Sequence, residues 1–565
     1  MRAKATGPTL NCRAIAGSYV VILAWDFVDG HDGRLDELQG FAIERTELDG
    51  DGRAVERYWI RGIKRYRFKD RGLAPGTPVS TAEHPIQSFQ WGDYTALAGR
   101  RYEYRIVAVH GRPKLLVLDD ANAVTVTVET EREFLLEGGG ARDRASHDVY
   151  FNRGVIGSQA FARQFPGVQP TEHLPPDDPA MIWLSRGLFE ALERFIGLAA
   201  DERFGLRAAF YEFHYEPVGF AFKRAVERDA DVAIVYDAAT KYREGSEDMI
   251  ATAGLDAPNV VIPRRNTKKL PHNKFIVLLE DGEPVAVWLG STNISASGIF
   301  GQSNVGHVVW SGPIARQYLD YWERLAADTP PDELREANAA ATPLPDGLPP
   351  TGVTALFSPR DGSSSTATLD WYASLMASAK RIVCFTVAFN LDKVFQEVLA
   401  RDNDVLRYVV KQADLSETES IGRDRDVVFA AGGRLGAGAL ANFLEESGNP
   451  LSGRDYIHDK FMLVDPLGDD PIVITGSANF SHPSQRGNDE NMIVVRGDRR
   501  VADIYFGEFM RIFDHHYARY LVRQLTEDDR HDPNAGYLKG KPAEWTRGHF
   551  DPRGHKAKRR TYFVS

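Results

Sequence analysis

Two short motifs carry most of the information in this sequence: His272-Asn273-Lys274-Phe275 and, further on, Gly290-Ser291-Thr292-Asn293. Both return later as His458-Asp459-Lys460-Phe461 and Gly476-Ser477-Ala478-Asn479. In each copy the glycine stands 18 positions after the histidine. A single HxK arises by chance in many proteins, whereas two copies with the same offset to GSxN indicate an internal repeat.

The order of predicted elements around the motifs also repeats. A helical stretch at 217–227 precedes a short apolar strand around 228–236, and the same order returns at 391–400 and around 401–409. The residues between HxK and GSxN alternate between apolar runs and polar turns, which predicts a pair of strands in each copy. The sequence therefore predicts two α/β halves of similar topology.

The motif residues form a receptor for phosphate. Along an extended strand the His and Lys of HxK project to the same face, away from the residue between them. The Gly of GSxN allows a tight backbone, and the Ser hydroxyl and Asn amide offer hydrogen bonds. Ammonium groups and neutral donors suit an oxyanion, and imidazole adds a nucleophile. We predict catalysis by His272, Lys274, His458 and Lys460, and phosphate binding by Ser291, Asn293, Ser477 and Asn479.

These motifs resemble the signature of the phospholipase D superfamily, which is HxK, then Asp, then GSxN, usually present twice. The resemblance covers about residues 145–525. It implies two pseudo-symmetric α/β/α halves with one active site at the seam, a phosphohistidine intermediate, and neither metal nor cofactor. The family Asp is Asp465 in the second half, whereas the first half has Leu279 there. Since this Asp is usually remote from phosphate, we expect Asp465 to be structural.

An acidic residue beyond GSxN contacts the catalytic His in this family. The position 11 residues after the motif Asn is Glu490 in the second half and Asn304 in the first. A carboxylate favours protonated imidazole more than an amide does. We therefore predict His272 as nucleophile, with Asn304 at the phosphate, and His458, supported by Glu490, as general acid. Tyrosyl-DNA phosphodiesterases, which this pattern is similar to, also place an amide beside the first-motif His. A carboxylate would equally stabilise phosphohistidine, which leaves the reverse assignment open.

The N-terminal residues 1–133 have a different texture. Alternating runs such as 102–109 and 123–128, separated by turn clusters, predict six to eight strands of a β-sandwich. The placement of Trp25 on an early strand resembles a fibronectin type III domain. We expect this region to serve packing, spacing or partner binding rather than catalysis.

The predicted fold is thus multidomain, with an all-β sandwich followed by two phospholipase D-like halves. We place the first half at 140–330, a linker at 331–352, the second half at 353–525, and a C-terminal segment packed on the halves at 526–565.

Two further features have open interpretations. The basic stretch 264–269 is either a rim that steers phosphate or a solvated loop. His214 either lines the pocket or is structural.

Composition narrows the class of protein. The 565 residues carry a formal net charge of −11 and are 43% hydrophobic, which is globular composition. We expect no membrane span, because no apolar run approaches about 18 residues, and no secretory signal. Cys12 and Cys384 lie in separate predicted domains, so we expect reduced packing residues and a cytoplasmic location. With both half-sites in one chain, a monomer can be complete.

The motifs predict the reaction but leave its substrate open. We favour a phospholipase D-type hydrolase that cleaves or exchanges phospholipid headgroups, with at most transient contact to a membrane surface. The alternative is a nuclease or a phosphodiesterase of nucleic-acid ends, which Asn304, the basic stretch and the missing signal peptide support. The acidic net charge counts against it, because nucleases draw affinity from a basic track. The third class is a phosphate-binding module without catalysis, and the intact motif residues disfavour it.

Overall fold

The structure is a computed structural model that describes residues 1–69, 72–138, 146–258, 260–267, 269–412, 421, 426–436, 439–440, 442–453, 456–527, 534 and 536–565. The N-terminal strands form antiparallel sheets. One sheet has the order β1-β2-β3-β8 and another β10-β9-β4-β5, with β11 also paired to β9. The strands are β1 (Arg2–Thr6), β2 (Leu10–Ala16), β3 (Val21–Phe27), β4 (Leu38–Leu48), β5 (Ala54–Trp59), β6 (Arg61–Gly62), β7 (Val79–Ser80), β8 (Gln90–Asp93), β9 (Arg101–Arg112), β10 (Leu115–Leu118) and β11 (Val124–Glu129).

Alternation explains these strands, since buried Val124, Val126 and Val128 alternate with more exposed residues in β11. The structure describes eleven strands here, more than the six to eight expected. Two of them, β6 and β7, are two residues long and pair with each other. One core cluster combines residues of both larger sheets, including Trp25, and Trp545 from the C-terminal segment.

Two seven-stranded sheets follow, and both are built in the same order. The first is β12-β18-β17-β16-β13-β14-β15 and the second β19-β25-β24-β23-β20-β21-β22. In each, three neighbouring strands run parallel (β13, β14 and β15; β20, β21 and β22), and the first of them adjoins the antiparallel strand that follows HxK. The first contains β12 (His147–Phe151), β13 (Phe204–Phe210), β14 (Asp231–Asp237), β15 (Arg264–Arg265), β16 (Lys274–Glu280), β17 (Glu283–Gly290) and β18 (Val305–Val309). The second contains β19 (Gly352–Ser358), β20 (Ile382–Val387), β21 (Leu406–Lys411), β22 (Val427–Ala431), β23 (Phe461–Val464), β24 (Ile472–Gly476) and β25 (Glu490–Arg496).

The described α-helices all follow the N-terminal strands along the chain. They are α1 (Phe134–Glu137), α2 (Gln159–Gln164), α3 (Pro179–Ser185), α4 (Leu188–Ile196), α5 (Glu216–Val226), α6 (Arg243–Thr252), α7 (Gly312–Ala326), α8 (Pro331–Ala341), α9 (Ala367–Ala377), α10 (Lys393–Leu399), α11 (His482–Arg486), α12 (Arg499–Glu527), α13 (Ala543–Thr546) and α14 (His555–Val564). Helices α7 and α12 contact strands of both seven-stranded sheets and share one apolar core with them. These two helices therefore hold the sheets together at the seam where the site lies.

The structure adds detail to two predicted segments, the linker and the C-terminal segment. The predicted linker 331–352 begins with α8, whose Leu334 and Asn338 are fully buried. The C-terminal segment contacts the N-terminal sheets as well as the second seven-stranded sheet: Arg560 pairs with Asp26, and Lys558 pairs with Asp426. Among the described helices, none has the length and apolar character needed to cross a membrane.

Candidate active site at the seam

Each HxK motif lies just before or at the start of a strand, in a conformation that brings its His and Lys together. Lys274 Nζ donates to the carbonyl oxygen of His272 at 2.7 Å, and Lys460 Nζ donates to that of His458 at 2.7 Å. Asn273, the intervening residue, points elsewhere and donates to the Tyr321 hydroxyl at 3.0 Å. In both halves the lysine ammonium group therefore lies against the backbone of the histidine of its own motif.

The GSxN motifs require glycine because the backbones approach closely. A Cβ on Gly290 would lie 2.1 Å from the carbonyl oxygen of Val305, and one on Gly476 would lie 2.2 Å from that of Asn491. Either contact is far shorter than a real Cβ makes. Larger residues at Gly290 or Gly476 would therefore push apart the strands that carry the site.

The motif serines differ from their predicted role. Ser291 Oγ donates to Asn304 Oδ1 at 2.8 Å, and Ser477 Oγ donates to Glu490 Oε2 at 2.7 Å. Each serine also accepts from a backbone N–H of the next strand. Because these hydroxyls are engaged, Ser291 and Ser477 orient Asn304 and Glu490 instead of facing a phosphate.

The two halves exchange the partners of their histidines. His272 Nδ1 lies 2.8 Å from Glu490 Oε2, and His458 Nδ1 lies 2.9 Å from Asn304 Oδ1. The expected support of His458 by Glu490 is therefore wrong: the carboxylate of the second half contacts the histidine of the first. The role predicted for Asn304 also changes, because its Oδ1 accepts from Ser291 and faces His458 while its Nδ2 donates to the Gly298 carbonyl.

Backbone contacts enforce this crossing. Ser303 N donates to the Tyr456 carbonyl at 2.8 Å, which brings Asn304 next to the second HxK motif. Asp489 N donates to the Leu270 carbonyl at 2.9 Å, which brings Glu490 next to the first. Counting residues from each GSxN locates both partners but cannot show which histidine they face.

Burial and mutual repulsion set the charge states of the site. Burial, followed by the charge of Lys274, lowers the pKa of His272 despite the opposing effect of Glu490. Burial and the charge of Lys460 hold the pKa of His458 well below its usual range. Burial lowers the pKa of Lys274 to about 8. Burial alone would raise the pKa of Glu490, but the adjacent His272 ring, the charge of Lys274 and the Ser477 hydroxyl together lower it. The site thus favours neutral imidazoles beside an ionised carboxylate.

A cavity of about 390 Å³ joins the two half-sites. His272 and His458 line it together with Asn293 and Asn479. The Oδ1 atoms of Asn293 and Asn479 are buried and have no hydrogen-bond partner among the described residues. Of the predicted site residues, these four open onto one space large enough for a phosphodiester.

Glu212 also lines this cavity, although no sequence motif points to it. Its carboxylate accepts a hydrogen bond of 2.6 Å from Asn293 Nδ2. Glu212 follows β13, and β13 pairs with β16, the strand that begins at Lys274. The end of β13 therefore lies beside the first HxK motif, which is the signal that could have indicated Glu212. The neighbouring Tyr211 ring lies 4.9 Å from the His272 ring. His214, whose role was open, lines the cavity.

The residues of the basic stretch 264–269 have different environments. Arg265 is 1% exposed and pairs with Asp489 at 2.7 Å, so it links the halves rather than steering a ligand. Arg264 is exposed and pairs with Glu247 at 3.1 Å. Lys269 lines a second cavity that shares Leu270 with the first. Lys268 lies outside the described residues.

Asp465 has the structural position expected for it. Its carboxylate accepts from the backbone N–H groups of Lys380, Arg381 and Ile382 at 2.7 to 2.9 Å, which fixes the start of β20. Cys12 and Cys384 are free and buried. Within the described part of the chain, no cluster of three His, Cys, Asp or Glu side chains is suited to hold a metal ion.

Comparisons with known proteins give one family match and several similar solved structures. Residues 430–514 match the family model described as "Cardiolipin synthase, PLD-like domain". Phosphatidylserine synthase of Haemophilus influenzae is 13% identical, with a TM-score of 0.43 over 61% of this chain and 90% of that chain. Nuc from Salmonella typhimurium is 24% identical, with a TM-score of 0.21 over 25% and 87%. Yeast tyrosyl-DNA phosphodiesterase is 12% identical, with a TM-score of 0.32 over 54% and 85%.

No curated protein sequence matches the chain. The family match covers the region that contains the second HxK and GSxN motifs. This match supports a relationship of the chain to the phospholipase D superfamily.

Proposed function

We propose that this chain is a phosphodiesterase that cleaves its substrate through a phosphohistidine on His272. The observation that carries the proposal is the crossed pairing, in which Glu490 and Asn304 hold two imidazoles that line one cavity. A carboxylate only accepts hydrogen bonds, so His272 Nδ1 carries the proton and Nε2 keeps its lone pair. That is the tautomer a nitrogen nucleophile needs.

In the first step, His272 Nε2 attacks phosphorus. A P–N bond forms while the P–O bond to the leaving alcohol breaks, and His458 donates its Nε2 proton to the leaving oxygen. The negative charge of the bound diester favours the protonated form of His458, against the effect of burial. Lys274 and Lys460 stabilise the non-bridging oxygens by their charge, and Asn293 and Asn479 line the same cavity.

In the second step, neutral His458 takes a proton from water. The water oxygen attacks phosphorus, the P–N bond breaks, and its electron pair returns to His272 Nε2. The product is a phosphate monoester and the enzyme is restored. An alcohol in place of water would give a new diester, which is headgroup exchange.

Glu490 bears on which histidine is the nucleophile. The sequence predicts this carboxylate beside the general acid, His458. In the structure it lies beside His272, where it stabilises the positive charge that the imidazole acquires when its Nε2 bonds to phosphorus. We therefore keep His272 as nucleophile and His458 as general acid and base.

For the substrate, we propose a phospholipid headgroup. Two exposed apolar side chains line the cavity, Leu270 at 39% exposure and Phe389 at 61%. Apolar groups at a mouth that leads to a phosphate site suit a ligand that is apolar beside its phosphodiester.

Trapping tests the reaction, using bis(p-nitrophenyl) phosphate, whose leaving group needs little protonation. We expect His458→Ala to accumulate a covalent adduct on His272, seen by mass spectrometry after rapid quenching, and His272→Ala to form none. His173→Ala removes an exposed histidine and serves as control. An adduct on His458 would reverse the assignment, and the absence of any adduct or product would refute the proposal.

Substrate choice is tested in buffer with EDTA. Phosphatidylcholine with ethanol should yield phosphatidylethanol with the unaltered chain and none with His272→Ala. If plasmid or single-stranded DNA is cleaved instead and the lipid is not, the lipid proposal is wrong and a nucleic acid replaces it.

A further inference from the structure

The cavity is asymmetric at positions that the two sheets make equivalent. In the first sheet Phe210 pairs with Lys274, and Glu212 follows two residues later. The register between β20 and β23, continued to Lys460, brings Phe389 to the corresponding place. Both residues line the cavity. One half-site therefore presents a carboxylate where the other presents an aromatic ring.

The carboxylate is built into the phosphate site. Glu212 is 9% exposed and accepts from Asn293 Nδ2 at 2.6 Å. Its own carbonyl accepts from Ile294 N at 3.1 Å, which ties it to the loop that follows GSxN. Burial and the negative charge of Glu212 raise the pKa of Tyr242, whose hydroxyl also hydrogen-bonds the carboxylate. Glu212 thus has a fixed place beside a motif asparagine.

The charges around the cavity then match a single negative charge. Burial lowers the pKa of Lys274, Lys460 and His458, but a bound phosphate favours their charged forms. With phosphate bound they supply three positive charges, and Glu490 and Glu212 supply two negative ones. The sum is one positive charge, which a phosphodiester monoanion neutralises. A phosphate monoester, with a second ionisation near pH ~6, is a dianion at neutral pH and leaves one uncompensated negative charge.

We propose that Glu212 determines specificity, so that the site accepts phosphodiesters and disfavours dianionic phosphate monoesters. This inference rests on the proposed function and adds a selectivity that the motifs alone do not supply. It also has a consequence for turnover: because hydrolysis converts the diester into a monoester, the Glu212 carboxylate favours release of the product that has just formed.

The test compares two inhibitors that differ by one charge, methyl phosphate and dimethyl phosphate, during hydrolysis of bis(p-nitrophenyl) phosphate at about pH 7.5. Glu212→Gln keeps an oxygen that can accept from Asn293 but removes the charge. We expect inhibition by methyl phosphate to strengthen on the order of tenfold, and inhibition by dimethyl phosphate to change by less than about threefold. Glu216→Gln, an exposed carboxylate at the start of α5, should change neither.

An unchanged ratio of the two inhibition constants in active Glu212→Gln would overturn the inference while leaving the proposed function intact. If the unaltered chain cleaves no diester, the proposed function fails, and calorimetric binding of both phosphates to the two proteins still decides the role of Glu212. Should Glu212→Gln not fold, Phe389→Glu provides the converse test. Its added carboxylate at an exposed position should weaken methyl phosphate selectively, and equal weakening of both inhibitors would contradict the inference.

Discussion

Glu490→Gln preserves the shape of the side chain that contacts His272 and removes its charge. In the structure, Glu490 Oε2 lies 2.8 Å from His272 Nδ1. Burial and the neighbouring lysine charges already lower the pKa of His272, so the imidazole stays neutral in the variant before substrate binds. The loss therefore falls on the step in which the ring becomes positive, namely P–N bond formation.

The magnitude follows from the distance. Two unit charges about 4 Å apart interact by about 4 kcal/mol at an effective dielectric constant near 20, which corresponds to roughly a thousandfold in rate. The Gln oxygen retains part of the hydrogen bond, so we expect phosphoenzyme formation to slow by about 10² to 10³.

The assay is the pre-steady-state burst of p-nitrophenol from bis(p-nitrophenyl) phosphate, measured by stopped flow with substrate in excess over enzyme. Glu544→Gln, an exposed carboxylate on α13, serves as control. A burst rate within about threefold of the unaltered chain, in a variant with unchanged unfolding, would refute the electrostatic role of Glu490. A normal burst followed by slow adduct hydrolysis would instead assign Glu490 to the second step.

Two further predictions concern charge at the seam. Burial lowers the pKa of Lys274 to about 8. We therefore expect kcat/KM for a diester to fall as pH rises past about 8, because the positive charge of the ammonium group is lost. A flat profile to pH ~10 would contradict this. Arg265→Met leaves the Asp489 carboxylate buried without its ion-pair partner and should lower the free energy of unfolding by about 3 to 5 kcal/mol in a urea titration. A loss below about 1 kcal/mol would show that the pair is solvated.

The repeat allowed much of the fold to be anticipated from sequence. Two HxK and GSxN pairs with equal offsets implied two similar units, and the seven-stranded sheets run in the same order. The helices predicted at 217–227 and 391–400 correspond to α5 and α10. The linker prediction missed α8, whose Ala- and Glu-rich sequence favours a helix although it offers few apolar residues for a periodic pattern.

The pairing within the site could not be anticipated in the same way. Offsets along the chain locate Glu490 and Asn304, but the partner of each depends on how the two sheets face one another. Similarly, a charge run shows nothing about burial, so neither a steering rim nor a solvated loop anticipated the buried ion pair of Arg265 with Asp489. Glu212 belongs to no motif, and its role depends on strand pairing and on the Asn293 amide.

The crossed contacts explain why both motif pairs are needed in one site. Ser477 positions Glu490, and Glu490 in turn faces His272 of the other half. Ser291 positions Asn304 in the same way, toward His458. A half on its own would hold a histidine whose orienting partner is absent and a carboxylate or amide with no ring to orient. The two halves are therefore complementary rather than redundant. They differ at Glu490 against Asn304 and at Glu212 against Phe389, so the two histidines have different surroundings, as the proposed division into nucleophile and proton donor requires.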